Sequence, residues 1–182
     1  MPGVFAFTPK KFGDDRGFFS ETFTQQVFDK TVPGKVFVQD NHAYSKDIGV
    51  LRGLHYQKPP FAQDKLVRVT RGAVIDTIVD IRKGSPTYGE YLSIELTADN
   101  WKQLWVPAGF AHAYCTTAPD TEFCYKVTNY YSPECDAGLA FDDPDLAINW
   151  PVANDKLILS PKDRILPKLS ETDSPFIFND NC

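Results

Sequence analysis

The chain has 182 residues, of which 42% are hydrophobic and 24% charged. These values exclude wholesale disorder and suffice to bury one core without a disulfide or metal staple. Lys plus Arg is 19 against 24 Asp plus Glu, a formal net charge of −5, which argues against a general nucleic-acid binder while leaving room for a local basic pocket.

Aromatic residues reach 14%, and 14 Pro and 11 Gly break the chain often, a composition that favours sheet over long helices. No run approaches the roughly 18 apolar residues of a membrane span. Residues 1–11 lack the charged segment and apolar core of a signal peptide, so the expected compartment is the cytoplasm. Cys115, Cys124, Cys135 and Cys182 show no CxxC spacing and read as reduced thiols.

In chain order, residues 20–30 are expected to hold one or two helical turns. Residues 36–38 and then 50–56 follow as strand-like runs. Residues 65–70 alternate apolar and polar side chains, the period-2 mark of a half-buried strand. Residues 73–81, 91–96, 101–106, 113–116 and 122–128 continue the series, with turn signals between them. About eight such strands predict an all-β sandwich or barrel. Residues 160–166 are expected to form a short helix after a Ser cap. The single domain is expected to span 1–169, and the polar stretch 170–182 to be a poorly ordered or partner-docked tail.

Three histidines invite chemistry: His42, His55 and His112. Strict period 2 puts Arg52, Leu54 and Tyr56 on one strand face and Gly53, His55 and Gln57 on the other. Gly53-Leu54-His55, the later Gly72, and Pro107-Ala108-Gly109-Phe110-Ala111-His112 carry the punctuation of the double-stranded β-helix, the cupin or jelly-roll fold. Metal cupins have a second histidine where this chain has Gln57 and an acid near Lys65. A cation in the carboxylate position repels a divalent ion, so no metal is expected.

The ordered series Asp15-Arg16-Gly17-Phe18-Phe19-Ser20-Glu21, Gln39-Asp40-Asn41-His42, residues 49–57, 65–72, 106–112 and 125–133, and Leu159-Ser160-Pro161-Lys162-Asp163 resembles the dTDP-4-dehydrorhamnose 3,5-epimerase family over roughly residues 4–169. The resemblance implies a cupin-type enzyme that inverts C3 and C5 of a dTDP-linked 4-keto-6-deoxyhexose in dTDP-L-rhamnose biosynthesis, acting as a homodimer. Such a reaction needs a base on one face of the sugar, an acid on the other, and positive charge at the ketone oxygen, so the resemblance implies no cofactor. By resemblance His55 is the base and Asp163 its carboxylate partner. Tyr125 is the proton donor, and Lys65 and His112 face the enolate oxygen.

By the same resemblance Arg16, Glu21, Gln39, Asp40, Asn41, Arg52, Asp136 and Lys162 surround the nucleotide and sugar, with Phe19 and Tyr131 suited to stacking on the base. The family has Glu where Asp136 stands, and commonly begins some residues earlier, so an exchanged strand at the dimer interface is expected to be short. Read without the resemblance, Tyr125 is a core tyrosine, Lys65 a solvated strand charge and Asp163 a first-turn helix carboxylate. Asp76, flanked by apolar residues, reads as a buried carboxylate that supports a pocket histidine or the backbone. Two other functions fit the same residues: a C3-only or other nucleotide-sugar epimerase, and a non-catalytic nucleotide-sugar-binding cupin.

Overall fold

The computed structural model describes residues 1–179; Cys182, expected to be a reduced thiol, lies outside them. Twelve strands form: β1 (Phe5–Phe7), β2 (Phe12–Asp14), β3 (Gly17–Phe19), β4 (Gln39–Ser45), β5 (Leu51–Gln57), β6 (Lys65–Arg71), β7 (Ala73–Asp80), β8 (Tyr91–Thr97), β9 (Gln103–Val106), β10 (Phe110–Thr116), β11 (Thr121–Val127) and β12 (Asp136–Gly138). One five-stranded sheet runs β1-β9-β6-β11-β4, and a second runs β12-β5-β10-β7-β8. The pairings within them are antiparallel. β2 and β3 form a separate hairpin. This is the expected all-β jelly roll.

Alternation along each strand sorts side chains into three layers. Between the sheets lie Val67, Val69, Leu104 and Phe123 from the first sheet and Val74, Ile78, Leu96, Phe110 and Tyr114 from the second. Outside the second sheet, Leu51, Leu54, Val79, Ala111, Ala113 and Cys115 pack under Leu139, Leu146, Trp150 and Leu157 of the C-terminal segment. Outside the first sheet, Leu66 and Trp105 meet Phe28.

Phe28 belongs to α1 (Gln25–Phe28), the single turn that residues 20–30 actually form. Phe7, Phe23, Phe37 and Trp105 surround its ring at centroid distances of 5.1–5.7 Å where they touch it directly. Residues 36–38 are extended but precede the strand rather than form one. The strand is β4, whose polar sequence QDNHAYS hides it from a search for apolar alternation. Residues 160–166 hold only a 3₁₀ turn, Asp163–Ile165.

Residues 170–179, expected to be a poorly ordered or partner-docked tail, lie against the second sheet of their own chain. Ser174 is buried and donates to the Ile81 carbonyl. The Lys83 amide donates to the Phe176 carbonyl, and the Phe178 amide returns the bond to Lys83, both at 2.9 Å. The Phe176 ring stands edge-on to Tyr56. Of the apolar patch 176–178, Phe176 packs on the core outside the second sheet and Phe178 meets Arg82, while Ile177 stays exposed.

Candidate active site

The strict alternation expected for residues 52–57 fails at one place, and the failure builds the site. Across β10 and β5, His112 stands opposite His55 and Tyr114 opposite Arg52. Two residues of β5, Gly53 and Leu54, therefore face the single residue Ala113, a β-bulge. The bulge turns Arg52 and His55 to the same face, into a cavity of about 480 Å³ between the sheets. Leu51, Leu54 and Tyr56 turn to the opposite core. Gly53 is required here: its φ is +122°, and a Cβ would lie 2.5 Å from the His112 carbonyl and 2.6 Å from the Ala113 Cβ.

His55 Nε2 lies 2.6 Å from Asp163 Oδ1. The chain after the barrel returns to β5 to bring this about: the Ile158 amide donates to the Gly49 carbonyl and the Leu51 amide to the Ile158 carbonyl. The Asp163 amide then donates to Ser160 Oγ at 3.2 Å. Burial pushes the Asp163 carboxyl up. The hydrogen bond and charge of His55, with Ser160 and Lys162, outweigh it and hold the carboxyl below its usual range. Asp163 is thus a fixed anion, 3% exposed beside a histidine whose side chain is 31% exposed.

Tyr125 comes from the facing sheet. Its neighbours across β4 and β6 are Asn41 and Val67, so all three point between the sheets. Burial raises its phenol above the usual value, opposed by the charge of Arg52. Lys65 opens β6, and burial lowers its ammonium to about 8 against the opposing pull of Asp76 and then Asp136. His112 contacts both oxygens of Asp76 through Nε2, at 3.0 and 2.9 Å. His55, Lys65, His112, Tyr125, Arg52, Lys162 and Asp163 thus line one cavity. His55 and Tyr125 stand on facing sheets, and Lys65 and Arg52 line the same cavity, an arrangement suited to moving a proton across a ring bound in the gap.

At its rim, Tyr131 and Lys162 both reach Asp136, the tyrosine hydroxyl at 3.1 Å. Gln39 accepts from the Tyr131 amide at 3.2 Å and donates to Asn41 at 2.8 Å. The shorter Asp136 therefore still links Tyr131 to Lys162. Four expected residues do not join this group within the chain. Arg16 pairs with Asp14 on the β2–β3 hairpin, its side chain 89% exposed. Phe19 of the same hairpin is 66% exposed. Glu21 lines a different groove, with Phe7 and Phe28.

Asp40 alternates out of the gap, because Gln39, Asn41 and Ala43 take the inner positions of β4. It binds Lys126 Nζ at 2.6 Å on the outer face. His42 shares that face and meets Glu122.

Sequence reasoning gives Asp76 no place among the reacting residues but reads it as a support for a pocket histidine or the backbone, and His112 is that histidine. Sequence reasoning passed over Tyr114, which lines the cavity and stacks on Phe123 at 4.0 Å. Gln57 is committed elsewhere: its amide donates to the carbonyls of Phe61 and Tyr130 at 2.7 and 3.0 Å, and its oxygen accepts from the Ser132 amide. Among the described residues no three His, Cys, Asp or Glu side chains come together as metal ligands.

The sequence and the fold have counterparts. Residues 1–171 match the model of a family described as dTDP-4-dehydrorhamnose 3,5-epimerase. A dTDP-4-dehydrorhamnose 3,5-epimerase of Sinorhizobium fredii is 55% identical over 163 residues, 90% of this chain and 83% of that protein. The crystal structure of such an epimerase from Bacillus anthracis, with TDP and PPi bound, superposes with a TM-score of 0.88 at 49% identity, over 91% of this chain and 94% of that one. A Legionella pneumophila epimerase in complex with dTDP-4-keto-L-rhamnose superposes with a TM-score of 0.87 at 43% identity, over 93% and 89% of the two chains. The chain belongs to the dTDP-4-dehydrorhamnose 3,5-epimerase family.

Proposed function

We propose that this protein inverts C3 and C5 of dTDP-4-dehydro-6-deoxy-D-glucose, giving dTDP-4-dehydro-L-rhamnose for dTDP-L-rhamnose biosynthesis. The C4 ketone acidifies the C–H bonds on either side. His55, oriented by Asp163, removes a proton and the electron pair moves onto the ketone oxygen, forming an enolate that Lys65 and His112 stabilise. Tyr125 then returns a proton to the opposite face of the same carbon. The observation that carries this reading is that His55 and Tyr125 stand on facing sheets across one cavity, so a ring between them meets a base on one side and an acid on the other. No metal and no redox cofactor enters the sequence of steps.

The nucleotide half of the site calls for a second copy of the chain. Arg16, Phe19 and Glu21 do not reach the cavity of their own chain, and a homodimer in which each hairpin serves the partner's cavity accounts for them. No helix among the described residues is long and apolar enough to cross a membrane, and the three described cysteines are free. Both features suit an enzyme of the cytoplasm.

The test is to incubate the protein with the 4-keto-6-deoxy sugar nucleotide in D₂O and count deuterons by NMR. Deuterium at both C3 and C5 of an inverted product is expected. Deuterium at C3 alone would give the protein to the single-centre epimerases, and none at either carbon would overturn the catalytic reading.

A further inference from the structure

Asp76 takes no part in the proton transfers above, yet its burial demands an explanation. It sits in the middle of β7, 0% exposed, opposite Tyr114 on β10 and Ile94 on β8. Its side chain therefore points into the gap between the sheets. A carboxylate there is retained only if its charge and lone pairs are met. Both its oxygens turn to His112 Nε2, at 3.0 and 2.9 Å, and His112 is itself 6% exposed.

A carboxylate accepts and does not donate, so Nε2 holds its proton toward Asp76. Nδ1 is then the nitrogen left for the substrate, and it donates only when the ring carries both protons. Asp76 is also the foremost opposing charge acting on Lys65, ahead of Asp136 on β12. The other groups facing this corner are His55 and Arg52 from β5, Tyr125 from β11 and Tyr114 from β10. Among them Asp76 is the one carboxylate in contact with a residue assigned to the enolate oxygen. Asp163 serves His55, and Asp136 serves Tyr131 and Lys162 at the rim.

We propose that Asp76 is a positioning residue of the reaction: it fixes the His112 ring through Nε2–H and supplies the negative charge that holds His112 and Lys65 together at the ketone oxygen. The proposal rests on the epimerase reading of the cavity. It gives the enzyme two His–Asp pairs with separate tasks. Asp163 prepares His55 to take a proton, and Asp76 prepares His112 to meet the charge that this transfer creates.

Two measurements test it. Imidazole ¹⁵N NMR of the wild-type enzyme, without substrate, is expected to find His112 protonated at Nε2 throughout the titration, with Nδ1 as the nitrogen that gains and loses a proton. A ring protonated at Nδ1 and bare at Nε2 overturns the proposal. Asp76→Asn keeps the size and an acceptor oxygen but removes the charge. Its kcat for deuterium exchange is expected to fall about 10²-fold, the lower end for loss of an oxyanion partner, with KM and thymidine diphosphate binding unchanged.

The alkaline limb of its kcat profile is expected to move to lower pH, since Lys65 loses its main opposing charge. A purely structural role would lower the melting temperature and leave that limb in place, and an unshifted limb with kcat intact overturns the proposal. If Asp76→Asn does not fold, the wild-type nitrogen shifts decide. A wild type that exchanges no deuterium defeats the epimerase reading, whatever the His112 tautomer proves to be.

Discussion

Between the sheets, His55, Lys65, His112 and Tyr125 come from four different strands of one chain and face a single cavity. On the β2–β3 hairpin, Arg16 and Phe19 face outward, away from any such group. The first region is held by two five-stranded sheets. The second is a hairpin of three residues a side that rests on Trp101 through Phe18 and Lys11. Two-stranded hairpins are marginal alone. The difference separates two demands on the site. Proton transfer needs atoms aligned to a fraction of an ångström, which interlocked strands provide. Gripping a remote nucleotide tolerates a less rigid platform, and in the proposed dimer that task falls to the partner's hairpin.

The largest effects belong to the interior. His55→Ala removes the proposed base, and deuterium exchange at both carbons is expected to fall about 10²–10⁴-fold. Tyr125→Phe keeps the ring but deletes the hydroxyl. His55 can still exchange its proton with the substrate, so deuterium is expected to enter recovered starting sugar faster than inverted product forms. The ratio of the two, compared with wild type, is the measurement. An unchanged ratio would return Tyr125 to the role of a core tyrosine.

The hairpin should behave otherwise. Arg16→Ala is expected to raise KM about tenfold or more, the scale of a lost charge-assisted hydrogen bond, while kcat at saturation holds. Complementation sharpens the contrast. Arg16→Ala and His55→Ala subunits, mixed and allowed to exchange, are expected to recover activity, because one of the two cavities then has an intact base and an intact partner hairpin. A mixture no more active than the sum of its parts would mean that each hairpin serves its own chain.

The same division explains what was legible in the sequence. The strands that carry the chemistry announce themselves by alternation or by punctuation, and residues 65–70 and 122–128 became β6 and β11 with ends shifted by a residue. β4 was invisible because two of its inner positions, Gln39 and Asn41, are polar, which leaves no apolar alternation to find. The bulge at Gly53-Leu54 was invisible for another reason. Period 2 assumes an unbroken ladder, and only the partner strand reveals that two residues face one. The docking of residues 170–179 escaped because a few contacts, Ser174 and Phe176 above all, anchor a segment whose average composition is polar.

Alkaline pH gives a smaller, graded test of the interior. In the proposed mechanism Lys65 must be cationic to stabilise the enolate, and its ammonium is lowered from 10.5 to about 8 by burial. Activity is expected to fall as pH rises through about 8, approaching a factor of about ten per pH unit above it. Stability moves the other way. Between about 8 and 10.5 the unfolded chain binds the Lys65 proton and the folded one does not, so this group's contribution to stability rises with pH there. Lost activity at pH 9 with an intact fold by circular dichroism is the expected pair of results. Loss of both together would assign the decline to unfolding instead.

The smallest expected effect is none at all. Gln57 occupies the position where a metal-binding relative of this fold would carry a ligand, and its three hydrogen bonds to Phe61, Tyr130 and Ser132 tie it to the loops beside β5. Lys65 puts an ammonium where a carboxylate would have to sit, and repulsion between that charge and a divalent ion works against binding. Asp163 is already satisfied by His55 and Asp76 by His112. The carboxylates of Asp163 and Asp76 and the Nε2 atoms of His55 and His112 are thus engaged with one another, and in the proposed mechanism cationic side chains stabilise the enolate instead. Prolonged treatment with a chelator, followed by the deuterium assay in metal-free buffer, is therefore expected to leave the exchange rate unchanged. Activity lost on chelation and restored by a divalent ion would show that the interior is not self-contained, and would move the stabilisation of the enolate from Lys65 and His112 to the metal.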